Sequence, residues 1–535
     1  MCDKSKKQHQ DPQSTTHNEE HEEWSRRSFI QALGIAGLGS ISLGASKITA
    51  AVASPITTAL AASDNDRALV LIRLKGGNDG LNTIVPLYDY DQYAAMRPDI
   101  GLAKNSLYKL SDDFGLPDFM SPLQSLWGDG QMKVAHGVGY ENSSLSHFRA
   151  SDIWASTAAV EEVESGWIGR YYDQQYPNFN LEPPAIPPAI QIGSLGNLAF
   201  DGEEIGYAFS VANPEQLNTL AQNGWQHDVA NVPDCVYGQQ LSFLRSTTNT
   251  TFKYAGVIHD AYEASTTEAD YQNHDIAKQL SIVARLIKGK LGTKVYMVTL
   301  GGFDTHANQV NRHSQQMERL SESVKAFYDD LKAYGIQDEV LCMSISEFGR
   351  RVNQNGSQGT DHGTAAPVML FGGGLQGNGF IGNHPSLTDL DNNGNMSYDT
   401  DFRDIYSAVL QDWLCVPQDL AAQAMNNVDY PKTELGFQCK TASTPTIDLQ
   451  IEQHMMLTVQ NESILRLDLE AGTKISVRIY NMLGQEIGKM ADGYYMPGRH
   501  EWNVKSTLGY RLSSGSYIYS IKTSRGTFSK PFILN

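Results

Sequence analysis

The run Ala68-Leu69-Val70-Leu71-Ile72-Arg73-Leu74, followed by Lys75-Gly76-Gly77-Asn78-Asp79-Gly80, decides the fold. A nearly uninterrupted apolar segment reads as a strand covered on both faces, as in a parallel sheet. The glycine pair ends the strand and sets Asn78 and Asp79 on a loop beyond it. Two further segments repeat the arrangement. Lys294–Leu300 ends in Gly301-Gly302-Phe303-Asp304-Thr305-His306, and Glu339–Ile345 runs into Ser346-Glu347-Phe348-Gly349-Arg350-Arg351. Between them Ile276, Leu280, Val283 and Ile287 recur at helical spacing with Asp275 as the expected cap, and a second helix is expected over 314–334. Strands alternating with helices predict an α/β domain, a mostly parallel sheet with helices on both faces.

The loops beyond the strand ends carry the chemistry. Asp79 lies after the first strand, and Asp304 and His306 after the second. Beyond the third, after Glu347 and a polar loop, come Asp361 and His362. In open α/β sheets the crevice outside the carboxyl ends of the strands is where ligands bind. Oxygen and nitrogen donors converging there suit a divalent cation such as Zn²⁺ or Mn²⁺. Without a cation, some of several clustered carboxylates would have to stay protonated. Each pair alone also reads as ordinary turn chemistry; three such loops in one domain favour a metal site. Arg350 and Arg351 are candidates for an anionic substrate or for a surface salt bridge. Trp154, Trp167 and Trp225 suit either a glycan platform or a packed core.

Composition bounds these readings. With 535 residues the chain exceeds one ordinary core, and 41% hydrophobic with 19% charged residues describes a globular protein. Forty-one basic against 60 acidic residues give a net charge of −19, which argues against nucleic-acid binding. Five scattered cysteines form no CxxC pair; one bridge, Cys415–Cys439, or buried free thiols are the two expectations.

The two ends differ from the middle. Residues 1–62 hold a polar leader, then Trp24-Ser25-Arg26-Arg27-Ser28-Phe29-Ile30 and a Gly/Ala-rich uncharged run with small-residue cleavage sites behind it. This reads as an export signal removed on maturation, leaving no stable transmembrane span. Residues 439–449 are a small, polar linker, and from 450 to 535 the periodicity becomes two. Lys474–Tyr480 and Ser516–Lys522 alternate polar and apolar, predicting a small all-β sandwich.

Three resemblances add to this. SRRSFI resembles the twin-arginine export pattern, which implies passage through that translocase, against a chance RR in a general secretory signal or an uncleaved anchor. VRIYNMLGQEI, GRHEWNV, LSSGSYIYSIKT and KPFILN resemble the type A sorting domain of type IX secretion substrates, which implies that machinery as a partner and a secreted or cell-surface destination through the periplasm; an Ig-like adhesive module is the alternative. LVLIRLKGGNDGLNTIVP, LSHFRASDIWAS, the GGFDTH loop and EFGRRVNQNGSQGTDHGTAAPVMLFGGG together resemble the domain-of-unknown-function family numbered 1501, over most of residues 67–438. That family is grouped with the alkaline phosphatase and sulfatase superfamily, so the resemblance implies an alkaline-phosphatase-like fold.

It also implies a metal-dependent cleavage of phosphate or sulfate esters. Asp79, Asp361 and His362 would hold one metal, and Asp304 and His306 would contribute to a second. The nucleophile should be a hydroxyl at a helix start. Ser146 is the best candidate, with Ser143 and Ser144 as competitors and a helix-capping hydroxyl as the other reading of Ser146. His147 and Arg149 would serve as acid/base and oxyanion partner. The chain departs from the superfamily in three ways. Asp304 and His306 have one residue between them where wider spacing is usual. His384 stands alone as the histidine expected after the Asp-His-Gly step, and no Cys-x-Pro-x-Arg occurs. A non-catalytic cell-surface protein that keeps the fold and binds glycans or a partner is the rival class, and a purely structural metal site is a third.

Overall fold

The computed structural model describes residues 66–439 and 451–534, apart from 178, 180–182, 194–195, 224–226, 230, 234–235, 460–461, 470–472, 482–485, 497, 509–514 and 524–525. The expected export signal over 1–62, nearly all of the expected 439–449 linker and Trp225 lie outside the described residues. The two stretches belong to separate compact units.

The first unit is built on a nine-stranded sheet. In chain order its strands are β1 (Ala68–Lys75), β2 (Met132–Gly139), β3 (Ala189–Ile192), β4 (Ala208–Val211), β5 (Val295–Gly301), β6 (Val340–Ser346), β7 (Ala366–Phe371), β8 (Gly379–Ile381) and β9 (Thr400–Asp401). The spatial order is β8-β2-β7-β6-β1-β5-β3-β4, with β9 paired to β2. Every pairing is parallel except those of β7, which runs antiparallel to both β6 and β2. Leu69, Val70, Leu71 and Ile72 are all fully buried, so both faces of β1 are covered, as the apolar run predicts. Val70 and Ile72 share a core with Leu280 and Val283 of the helix Asp275–Lys288 and with Leu320 and Val324 of the helix Gln309–Tyr334. The opposite face carries Trp154 and Trp167, both buried, so these rings belong to the core and form no exposed glycan platform.

Two helix starts differ from expectation. His274, not Asp275, caps the first helix, its ring accepting from the Ala277 N–H at 3.4 Å. The second begins at Gln309, five residues before the expected start. Apolar periodicity could not show that turn, because its inward side chains, Gln309 and His313, are polar and bond Asp79 and Asn78.

Strand direction explains where the site lies. Leu74 registers with Leu300 and with Ser346, so β1, β5 and β6 end together. The antiparallel β7 starts at that same end, which brings Asp361 and His362 there. Parallel alignment of β2 with β6 likewise delivers the segment after Gly139, which leads to the helix α1 (His147–Ser156). A Cys415–Cys439 disulfide ties the last stretch of this unit, while Cys342 is a buried free thiol.

The second unit consists of two antiparallel sheets, of three and four strands. Ile475, Val477 and Ile479 are fully buried, as the alternation predicts, and share one core with Leu465 and Leu467 of the other sheet. Among the described residues no helix is long and apolar enough to cross a membrane.

Candidate metal centre

Asp304 is the hub. Its loop leaves β5 through Gly301 and Gly302, and it can pass tightly against the loop after β1 because Gly76 has φ +123° and a Cβ there would overlap the Asp304 backbone. Arg350, fully buried, donates to Asp304 Oδ1 at 2.7 Å and to the carbonyl oxygens of Gly76, Gly77, Phe303 and Thr360. One guanidinium thus joins all the strand-end loops. For Arg350 this corrects the expectation of a surface salt bridge; Arg351 does lie 3.7 Å from Asp361 at the surface. Desolvation works against an ionised Asp304, but the hydrogen bond and positive charge of Arg350 help outweigh it, and the carboxyl is brought down to about 2.

Three imidazoles face this carboxylate. His306 Nε2 and His362 Nε2 each lie 3.1 Å from Asp304 Oδ1 and 3.0 Å from one another, and His147 Nε2 is 3.5 Å from Oδ2. Two of the rings are held from behind by hydrogen bonds at Nδ1, and the third has a carboxylate behind it. His362 Nδ1 bonds the Leu145 carbonyl at 2.8 Å, His147 Nδ1 bonds Glu347 Oε1 at 2.9 Å, and His306 Nδ1 lies 3.5 Å from Asp361 Oδ1. A carbonyl can only accept, so His362 carries its proton on Nδ1. Its neutral ring, favoured because burial lowers the pKa, then turns a lone pair on Nε2 toward a carboxylate. Lone pairs meeting at these distances need a proton or a cation between them.

The residues fit a cation. Ligand atoms at about 2.0–2.1 Å from a tetrahedral centre stand roughly 3.3 Å apart. The separations here are 3.0, 3.1 and 3.5 Å, and ligand atoms of His147, Asp304 and His362 all lie within 4.8 Å of one another. Outward-facing Nδ1 partners are the usual support for metal-bound imidazoles. Phe348 forms a wall, its ring 4.9 Å from His147 and 4.5 Å from His362.

The expected site residues separate into groups. Asp304, His306 and His362 come together, joined by His147, for which the sequence pattern suggests acid/base work instead. Asp361 stands behind His306, also within reach of Asn355 and Arg351. Asp79 is not brought to this cluster. It is buried, paired with Arg97 at 2.6 Å, bonded by Gln309 and capping a short 3-10 turn at Leu81. Burial opposes its charge, but Arg97 more than compensates and keeps its pKa low. Arg149 also points elsewhere, donating to the carbonyls of Ala158, Ala159 and Glu161. Ser146 caps no N–H of α1, its side chain is exposed, and its hydroxyl has no partner among the described residues. Ser143 bonds the Tyr140 carbonyl and Ser144 accepts from the Ser146 N–H. Glu347 is the functional residue that the sequence pattern does not place with the ligands. Its position at a strand end is the available signal, but its partner His147 lies 200 residues away in sequence.

Fold and site together define an α/β protein with a histidine–carboxylate centre at the carboxyl edge of a mostly parallel sheet. The chain belongs to the family described as Protein of unknown function (DUF1501), which matches residues 66–428. No curated protein matches it. Solved structures similar to it include Ps i-CgsB, at 9% identity and TM-score 0.31, covering 76% of this chain and 83% of that one. The lipoteichoic acid synthase LtaP from Listeria monocytogenes matches at 8% and 0.27, covering 59% and 69%. A protein in the alkaline phosphatase superfamily from Vibrio parahaemolyticus matches at 9% and 0.27, covering 84% and 85%. Likeness at these TM-scores carries no chemistry, which has to come from the chain's own residues.

Proposed function

We propose that this chain is an exported, metal-dependent hydrolase of phosphoric or sulfuric esters. The observation that carries the reading is the convergence of His147, His306 and His362 on Asp304, with His147 and His362 held through Nδ1. A divalent cation, Zn²⁺ or Mn²⁺ by the imidazole and carboxylate donor set, would be held by His147, Asp304 and His362 with His306 beside them, and it supplies polarisation of an ester oxygen.

The chain's own groups do the remaining work. Glu347 and the Leu145 carbonyl fix the imidazoles of His147 and His362, and Asp361 stands behind His306. Arg350 keeps Asp304 ionised and locks the loops that present it. Ser146 directly precedes His147 at the N-terminal end of α1, where unpaired N–H groups favour a developing negative charge. Attack by Ser146 Oγ forms a bond to phosphorus or sulfur; the ester's alcohol departs with the proton, and water then releases the inorganic anion. The test is turnover of a phosphate and sulfate ester panel by metal-loaded protein and by Ser146→Ala. Activity lost in a variant that keeps its metal supports this reading; wild-type protein that carries metal but turns over no ester contradicts it.

Export rests on the sequence signals: the SRRSFI motif for the twin-arginine translocase and the C-terminal motifs for type IX secretion to the cell surface or beyond. The Cys415–Cys439 bridge agrees with an oxidising compartment.

A further inference from the structure

His384, the lone histidine after the Asp-His-Gly step, pairs with a different partner, His136 of β2. Their ring centroids are 5.2 Å apart at 75°. His136 is 2% exposed and packs against Phe114 and Phe380, 4.4 and 4.8 Å away, and its Nε2 has no hydrogen-bond partner among the described residues. His384 Nδ1 donates to the Pro385 carbonyl at 2.9 Å, with the Tyr88 hydroxyl at 3.1 Å, so the ring's free lone pair is on Nε2. Both rings and the buried Met396 line one small cavity, together with Gly80, Gly137 and Pro367.

A buried ring nitrogen without a partner is destabilising. The cavity, about 10 Å³, is at the lower limit for a water, and its lining is mostly carbon and sulfur where a water would need 2–4 polar partners. A cation needs less. Two imidazoles bound through nitrogen at about 2.0 Å to one tetrahedral ion place their centroids roughly 5 Å apart, which is the spacing found.

We propose that His136, His384 and Met396 form a second metal site, separate from the Asp304 centre, that takes Cu(I). Two neutral imidazoles and a thioether are a soft donor set, which selects monovalent copper over Zn²⁺ or Mn²⁺. The half-exposed side, where Tyr88 and His384 reach the surface, is the entry.

The test is anaerobic Cu(I) titration of the full chain against a colorimetric Cu(I) chelator, beside His136→Gln, His384→Gln, Met396→Leu and Asp304→Ala. The wild type and Asp304→Ala should hold one Cu(I) that His136→Gln and His384→Gln release. Met396→Leu, nearly isosteric, should weaken it at least about tenfold with unchanged Tm and remove the sulfur neighbour from the copper X-ray absorption spectrum. Copper that persists in His136→Gln, that is lost only in Asp304→Ala, or that shows no dependence on Met396 would overturn the proposal.

Discussion

His306 and His362 face each other Nε2 to Nε2 at 3.0 Å, each 3.1 Å from Asp304 Oδ1. Because His362 gives its Nδ1 proton to the Leu145 carbonyl, this triangle presents lone pairs to a carboxylate, an arrangement that a cation relieves.

Glu347 orients His147 and also accepts from the Gly76 N–H at 2.8 Å. Glu347→Gln should keep the fold but weaken divalent-cation binding by about tenfold, as loss of a ligand's supporting partner commonly does. Metal titration with Tm as control checks it.

Asp79 and Arg97 are a buried pair outside the proposed ligand set. Asp79→Ala should cost about 3–5 kcal/mol, since it strands the guanidinium, without changing affinity for the cation. Urea unfolding and metal titration on the same preparation separate the two effects. Loss of metal with unchanged stability would restore Asp79 as a ligand.

The Cys415–Cys439 bridge spans a sequence separation of 24. Closing a loop of that size stabilises by about 3 kcal/mol in the chain-entropy account. The Cys415→Ser/Cys439→Ser protein should unfold at correspondingly lower urea, and the wild type should match it under reductant.

His136 and His384 give a pH dependence whose sign is fixed by burial. Their folded pKa values, about 3 and about 4, lie below the roughly 6.5 of an unfolded imidazole. As pH falls below 6.5 the unfolded chain takes up protons that the folded rings refuse, so their contribution is complete above that value and is lost down to the folded pKa. Asp201 and Asp404, raised to about 6 mainly by burial, work in the opposite direction. The difference between wild type and His136→Phe isolates the histidine: the urea midpoint should fall less in the variant between pH 7 and 4.5.

Much of the fold is legible because β1, β5 and β6 are apolar runs that end in glycine and acid, and parallel register does the rest. The same reasoning singles out Asp304, His306 and His362, which the fold brings together. It places Asp79 among them because a strand-end acid looks alike whether it faces a cation or an arginine; Arg97 lies in a loop that carries no periodic signal. Glu347 and Arg350 are visible at the end of β6, but their roles depend on partners far along the chain. The His136–His384 pair is hidden for the same reason, since β2 and the loop after β8 meet only through sheet order.

The most direct test is the divalent metal content per chain of the full-length protein beside Asp304→Ala, with folding of both confirmed by Tm. The predicted result is bound Zn²⁺ or Mn²⁺ in the wild type that Asp304→Ala loses. A wild type that binds neither ion, or an Asp304→Ala protein that keeps its metal, would contradict the metal centre.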